Sequence, residues 1–314
     1  MPGIGIIINP YARAHKRYPV RAQRLGFIVG DKGSCHETKD LLDVERLALE
    51  FKERGVDVLG LSGGDGTIHK TLTAFINAYG STPLPKIALL RGGTMNLLAS
   101  TLKISGTPEK LLSNLILKYH EGIPFEEIDL NMLHINDSYG FVFGMGIAGR
   151  FIEKYTDSKN GDPSPWCALS LLLRLTASSI FHTKFCFEMN ERFDAKITID
   201  GSRAPFKNYT FIVAGKVEGL GLCFKPLYRA RETAEKFHML AISASPFGTI
   251  KVFPRALLGK PPRSEDVFET VGSKMTIELD KPQGYMVDGD MPEKTDRIEI
   301  ATGPRIRVIV PSAL

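Results

Sequence analysis

Residues 56–70, VDVLGLSGGDGTIHK, constrain the chain more than any other stretch. The apolar run 56–61 reads as a buried strand. It feeds two glycines, Asp65, a third glycine and Thr67. A helical pattern follows, with Ile68, Leu72, Phe75 and Ile76 on one face. A strand, a glycine turn and a helix start present unpaired backbone N–H groups at the positive end of a helix dipole, an arrangement suited to phosphate. Glycine lets the backbone approach without Cβ obstruction. A lone acid among such amides would be repelled by phosphate, so Asp65 is expected to handle a proton or Mg²⁺ beside a transferred phosphoryl group.

The surrounding sequence alternates strand and helix signals. Residues 4–8 are a short apolar run stopped by Asn9-Pro10, and 25–29 read as a second strand. Asp43 reads as the cap of a helix carrying Val44, Leu47, Ala48 and Phe51, with Gly55 ending it. Residues 86–90 form another strand, Gly92-Gly93 a turn, and Thr94 opens a further helix. This alternation predicts a parallel sheet covered on both faces. Past Gly122 the pattern becomes short alternating strands: 125–135, 140–144, 184–189, 195–199, 209–215, 238–243 and 274–279. Helical stretches interrupt them at 165–181 and 249–259. The expected architecture is α/β plus β: an N-terminal parallel-sheet domain over 1–122 and an antiparallel β-sandwich over 123–303.

With 43% hydrophobic and 24% charged residues, 314 residues suffice for two modest cores. The net charge of +5 favours phosphates or an anionic lipid surface without naming either. No basic run or aromatic-rich basic motif points to nucleic acid. Cys35, Cys167, Cys186 and Cys223 form no CxxC pair, which argues against zinc or a disulfide framework. The opening MPGIGIIINP is short for a secretory segment and no stretch has the purity of a membrane span, so a cytoplasmic location is expected, with at most peripheral membrane contact. There is no HExxH or Walker A motif, and no Ser/His/Asp order can be defended. GMGIAG at 144–149 has the GxGxxG spacing but falls in the β-rich half, where it reads as close packing or a substrate-facing turn.

Three further motifs qualify as site components. RGGTMN (91–96) repeats the strand–glycine–helix pattern, and two such loops at neighbouring strand ends would share one crevice. MVDGDMPE (286–293) reads first as a hairpin turn at Asp288-Gly289. Its acids would join an Mg²⁺ or proton-handling cluster only if the fold returned them to Asp65. Asn9-Pro10-Tyr11-Ala12-Arg13 is a turn that a strand end beside the glycine loops could use to hold a nucleotide. His69 reads as a helix-surface residue.

In order and spacing, INP (8–10), SGGDGT (62–67), GGTMN (92–96), FGMGIAG (143–149) and VDGD (287–290) resemble the soluble diacylglycerol kinase, sphingosine kinase and ceramide kinase superfamily. The resemblance spans nearly the whole chain. It implies a Rossmann-like ATP-binding domain, a β-sandwich lipid-substrate domain, ATP and Mg²⁺ as cofactors, and a last strand (304–314) returning to the first domain. It makes Asp65 the catalytic base for a lipid hydroxyl and Asp290 the acid of a DGE-like triplet, here DGD. Gly63, Gly64, Gly66 and Thr67 would surround phosphates, with Asn9, Arg13, Gly93, Thr94, Asn96 and Asp288 contributing to the nucleotide site. Asp129 would join Asp65 and Asp290 among the metal-associated acids through a structural Asp–water–Mg²⁺ network. For the acceptor, the resemblance implies Glu153 near the headgroup. The apolar stretch 164–181, on which Trp166, Leu169, Leu172, Leu173 and Ile180 make one face widened by Leu171 and Leu175, reads either as the surface that receives the lipid or as a helix packed on the sandwich.

The chain departs from that pattern in places. Tyr11-Ala12-Arg13-Ala14 replaces a glycine-rich turn, with Arg13 or Lys16 expected to compensate by reaching phosphate. Lys70 stands where Glu is usual, Arg91 where Pro is usual, and Leu97 where a second Asp is usual. The alternatives are a kinase of the NAD kinase type, which Leu97 after Asn96 disfavours, and a non-catalytic nucleotide- or lipid-binding protein.

Overall fold

Every residue of β1 (Ile4–Ile8) is buried, as a strand covered on both faces requires. The computed structural model describes residues 3–310, apart from 13, 14, 17, 19, 158–163 and 222–223. After β1 come α1 (Val20–Val29), β2 (Gly33–Glu37), α2 (Leu41–Arg54), β3 (Val58–Ser62), α3 (Asp65–Tyr79), β4 (Lys86–Leu89), α4 (Leu97–Thr101) and α5 (Pro108–His120). β1 pairs in parallel with β2 on one side and β3 on the other, and β4 lies parallel beyond β3. Val308 and Ile309, near the end of the final strand β16 (Thr295–Val310), pair in parallel with β4. The order is therefore β2-β1-β3-β4-β16. The chain steps to one side of β1 and then to the other, so the carboxyl ends of β1 and β3 flank the topological switch point.

Three local expectations are corrected here. Residues 25–29 are not a strand but the second half of α1. Ala22, Leu25 and Val29 are buried at helical spacing, while Phe27 is 84% exposed. A five-residue apolar run cannot separate helix from strand by itself. Asp40, not Asp43, caps α2: its carboxylate accepts from the Asp43 N–H at 2.9 Å, and the Asp43 carboxylate accepts in return from the Lys39 N–H. The helix after the second glycine loop starts at Leu97 rather than Thr94.

Contacts group Met1–Leu130 and Pro304–Leu314 into one unit and Asn131–Gly303 into another, so the division falls within β5 (Glu126–Ile135) rather than at Gly122. The second unit contains β6 (Ser138–Gly140), β7 (Val142–Gly146), α6 (Ile147–Thr156), α7 (Pro165–Phe181), α8 (Lys184–Met189), β8 (Phe193–Ile199), β9 (Ser202–Arg203), β10 (Asn208–Tyr209), β11 (Phe211–Gly215), β12 (Phe237–Ile242), α9 (Pro246–Leu257), β13 (Val267–Gly272), β14 (Lys274–Gln283) and β15 (Tyr285–Val287). One antiparallel sheet has the order β13-β12-β11-β7-β15, and β10-β8-β14-β16 form a second antiparallel set. Alternate residues of both meet in one core: Phe143, Met145, Ile212 and Met239 from the first, Ile197, Ile277, Ile298 and Ile300 from the second. This is the sandwich the period-two pattern predicts.

Residues 184–189 are α8, not a strand. KFCFEM alternates in hydropathy, but the buried pair is Cys186 and Met189, three apart, and Phe187 is exposed. Helix α5 was not foreseen. Its start, Thr107-Pro108, carries the same N-cap and N1 signal as Ser164-Pro165 before α7 and Ser245-Pro246 before α9. Cys35, Cys167 and Cys186 carry no disulfide, and Cys223 lies outside the described residues.

Phe51 of α2 shows how tightly the helices cover the first sheet. It is fully buried, and a Cβ on Gly5 would fall 2.2 Å from its ring. Phe51→Ala is expected to cost about 3–5 kcal/mol of stability, read as a lower denaturant midpoint.

Candidate active site

Both glycine loops lie in the first unit, at the ends of β3 and β4, and touch backbone to backbone. A Cβ on Gly93 would come 2.3 Å from the Gly64 Cα, and one on Gly92 would come 2.7 Å from the Gly63 nitrogen. A Cβ on Gly63 would strike Thr67 at 2.5 Å. Glycine is required here by close approach of one chain to another, and the two loops form one surface.

Side chains fasten this surface from three directions. The Asn9 amide, just past β1, donates to the Thr67 hydroxyl at 2.8 Å, and its oxygen accepts from the Tyr11 N–H at 2.9 Å, an Asx turn. Asn96 takes the left-handed conformation (φ 47°) and clasps its own loop. Its oxygen accepts from the Gly93 N–H at 3.0 Å and its amide donates to the Gly93 carbonyl at 2.8 Å. His15 Nε2 lies 3.0 Å from the Ser62 hydroxyl, with both residues buried. Sequence reasoning missed His15, which nothing in AHKRY marks, and took Ser62 only as the first residue of SGGDGT. Arg13 lies outside the described residues.

Asp65 is the first residue of α3, which has Gly64 at its N-cap and no capping side chain. Its carboxylate accepts from the Leu98 N–H at 3.4 Å, with further amides of 96–98 and its own N–H directed toward it. Burial pushes its pKa up to about 6, and these amides act in the opposite direction. The amides belong to the backbone, so Leu97 in place of an acid leaves this interaction unchanged. Thr94 is half-buried in its loop and Lys70 is exposed. Arg91 also adopts positive φ (52°), and its Nε is buried without a hydrogen bond. His69 is buried, contrary to expectation, because α3 packs against both β3 and α2.

The second unit holds the remaining candidates. Asp288 and Gly289 have φ of 50° and 87°, and Val287 and Asp290 exchange backbone hydrogen bonds of 2.9 Å, so the hairpin reading of VDGD is correct locally. The Asp288 carboxylate is buried and accepts from the N–H groups of Phe141 and Val142 at 2.8–3.1 Å, which ties the turn to β7. Asp290 is half-buried. On α6, Glu153 is exposed. On α7, Leu172 is half-buried and Trp166 is exposed, while the packed face consists of Ala168, Leu171, Leu175, Ser178 and Ser179.

The structural Mg²⁺ network does not fit these residues. Asp129 is ion-paired with Arg305, and position 97 offers an apolar side chain. Among the described residues no three acidic, histidine or cysteine side chains converge as metal ligands.

Residues 4–125 match the family described as diacylglycerol kinase catalytic domain. No curated protein matches the chain by sequence. Three solved structures from Bacillus anthracis str. Sterne are similar, one described as a diacylglycerol kinase and two as candidate diacylglycerol kinases. The chain is 16% identical to the first, with a TM-score of 0.66 over 99% of this chain and 97% of that one. For the other two the values are 17% and 0.71, over 99% and 97%, and 18% and 0.69, over 98% and 97%. Residues 4–125 thus resemble the diacylglycerol kinase catalytic-domain family, and the chain as a whole shares the fold of these solved structures.

Proposed function

We propose that the protein is an ATP-dependent lipid kinase with Asp65 as its general base. The observation that carries this reading is Asp65 itself: a carboxylate with a pKa near 6, set at a helix start beside two glycine loops in backbone contact. In the reaction, a lipid hydroxyl oxygen forms a bond to the γ-phosphorus of MgATP as the bond to ADP breaks. The hydroxyl proton passes to Asp65. Amides of Gly63, Gly64 and Gly66 face the phosphates, with Thr94 and Asn96 shaping the second loop. Asn9 positions Thr67. Mg²⁺ enters with the nucleotide and supplies charge neutralisation at the phosphates. Asp290 is assigned as a second acid in turnover, and Glu153 as a contact for a polar headgroup. The acceptor class is a lipid alcohol such as a diacylglycerol, a sphingoid base or a ceramide.

Labelled ATP, Mg²⁺ and a panel of such lipids in mixed micelles, with NAD as a control, test the reading directly. Label in a lipid is the expected result. Label in NAD, or nucleotide binding without transfer, overturns it. A positioned base contributes roughly 10²–10⁴-fold, so Asp65→Asn should lower turnover by about that factor while the fold persists. Because the base works ionised, kcat/KM of the native protein should rise with pH and level off above about 6.

The same carboxylate has a signature in stability. Its folded pKa lies above the ordinary 3.8, so the folded state holds its proton more tightly than the unfolded chain. Ionised Asp65 therefore costs stability, and that cost develops as pH rises from about 4 to about 6. Asp65→Asn should be more stable than the native protein at pH 7–8, by about 1–2 kcal/mol given residual solvent contact. The two urea midpoints should converge near pH 4.

The Asp129–Arg305 pair makes a separate prediction. Mg²⁺ added without nucleotide should leave the melting temperature unchanged, and EDTA should not lower it. A clear rise with Mg²⁺ alone would show a structural ion after all.

A further inference from the structure

The solvent side of α7 is as apolar as its packed side. Trp166, Ser170, Leu173, Ala177 and Ile180 follow one another at spacings of four and three, all facing outward, and Phe181 ends the row. Trp166 is 80% exposed, Leu173 60% and Phe181 77%. Scattered apolar residues on a surface need no explanation, but a largely apolar stripe along about four turns does. Helix α9 packs beside α7 and repeats the pattern, exposing Phe247, Lys251, Pro254 and Leu257, with Leu258 following at 67% exposure. Between them, α7 and α9 carry Arg174, Lys251 and Arg255 and no acid. Arg174 lies over the Phe185 ring at 4.3 Å from its centroid and Lys251 over Phe247 at 4.6 Å, so these cations stand directly against apolar surface. On α8, Phe187 is exposed and Glu188 is paired with Lys184 at 3.7 Å; Glu153 is the exposed acid of α6.

We propose that the outward faces of α7 and α9 dock on an anionic lipid bilayer. Charge selects this occupant. Two copies of a face carrying Arg174 and Lys251 and no acid would repel each other, whereas anionic headgroups complement it. Exposed Trp, Leu and Phe enter the boundary between headgroups and acyl chains, and basic side chains beside them meet the headgroups. A helix of this kind lies in the surface, consistent with there being no helix among the described residues long and apolar enough to cross a membrane. The proposal deepens the lipid-kinase reading by specifying how the protein meets a substrate held in a bilayer. It also relocates the role of Trp166, from one acceptor molecule to the bilayer as a whole.

Trp166 is the only tryptophan of the chain and sits on the stripe, so the protein reports its own docking. Vesicles containing phosphatidylglycerol should shift its emission to shorter wavelength, and brominated acyl chains should quench it. Vesicles of phosphatidylcholine alone should bind less, and added salt should weaken binding to the anionic ones. Leu173→Asp should reduce vesicle partitioning ~10-fold or more, and Lys251→Glu ~5-fold or more, both with unchanged circular dichroism. No ATP or turnover is involved, so this test and the kinase assay can fail separately. An emission unchanged by vesicles in the folded protein overturns the proposal. So does vesicle binding that neither substitution weakens. Emission already blue-shifted without vesicles, and shifting to red on dilution, also overturns it and assigns the face to a second copy of the chain.

Discussion

The contact on which the active-site region depends is the one between two backbones. Gly63-Gly64 and Gly92-Gly93 leave neighbouring parallel strands and meet with no side chain between them. Parallel strands lie about 4.8 Å apart, and the loops preserve that spacing beyond the sheet only because neither carries a Cβ. With the loops this close, the start of α3 and the amides of 96–98 face the same carboxylate. Asn9, Asn96 and His15 then act as ties, each linking a loop to itself or to a neighbour. Their polar atoms are engaged in holding shape, which leaves backbone amides to meet a phosphate.

Asp65 experiences two opposed effects. Removal from water favours its protonated form, and convergent N–H groups favour the ionised form. Burial prevails, and the group settles near 6 rather than near the ordinary 3.8. A more exposed acid would be a weaker base, and an acid buried without amides would stay protonated at neutral pH. The intermediate value follows from the same geometry that brings the loops together. The position adjacent to Asn96 can therefore be Leu without disturbing Asp65, since what Asp65 needs from that segment is its main chain.

Much of this was legible in the sequence, for identifiable reasons. GGDGT after a buried run fixes strand, turn and helix at once, since few other conformations satisfy glycines and apolar residues in that order. The hairpin at Asp288-Gly289 was legible because two consecutive positive φ angles favour that pair. Runs of five or six residues were not decisive. LGFIV and KFCFEM fit either period, and only their packing, with Phe27 and Phe187 outward, makes them helices. His15 was invisible because its significance depends on Ser62, distant in sequence. The depth of His69 was missed because one helix face predicts burial against one layer, while α3 has neighbours on two.

Arg305 illustrates a different limit on reading by resemblance. Asp129 invites comparison with a metal-associated acid, and its motif alone supports that. Yet β16 returns to the first unit carrying a guanidinium onto the same carboxylate, and the companion acid is absent. An acid in a structural network needs an opposing charge, and either a metal ion or an arginine supplies one. An ion must be taken from solution and held by several ligands, whereas an arginine is already present in the chain and needs only its partner. Asp129 belongs to no cluster of three metal-ligand side chains among the described residues, so the arginine suits it better. Asp129 thus already has its cation in Arg305, and position 97 supplies no further carboxylate.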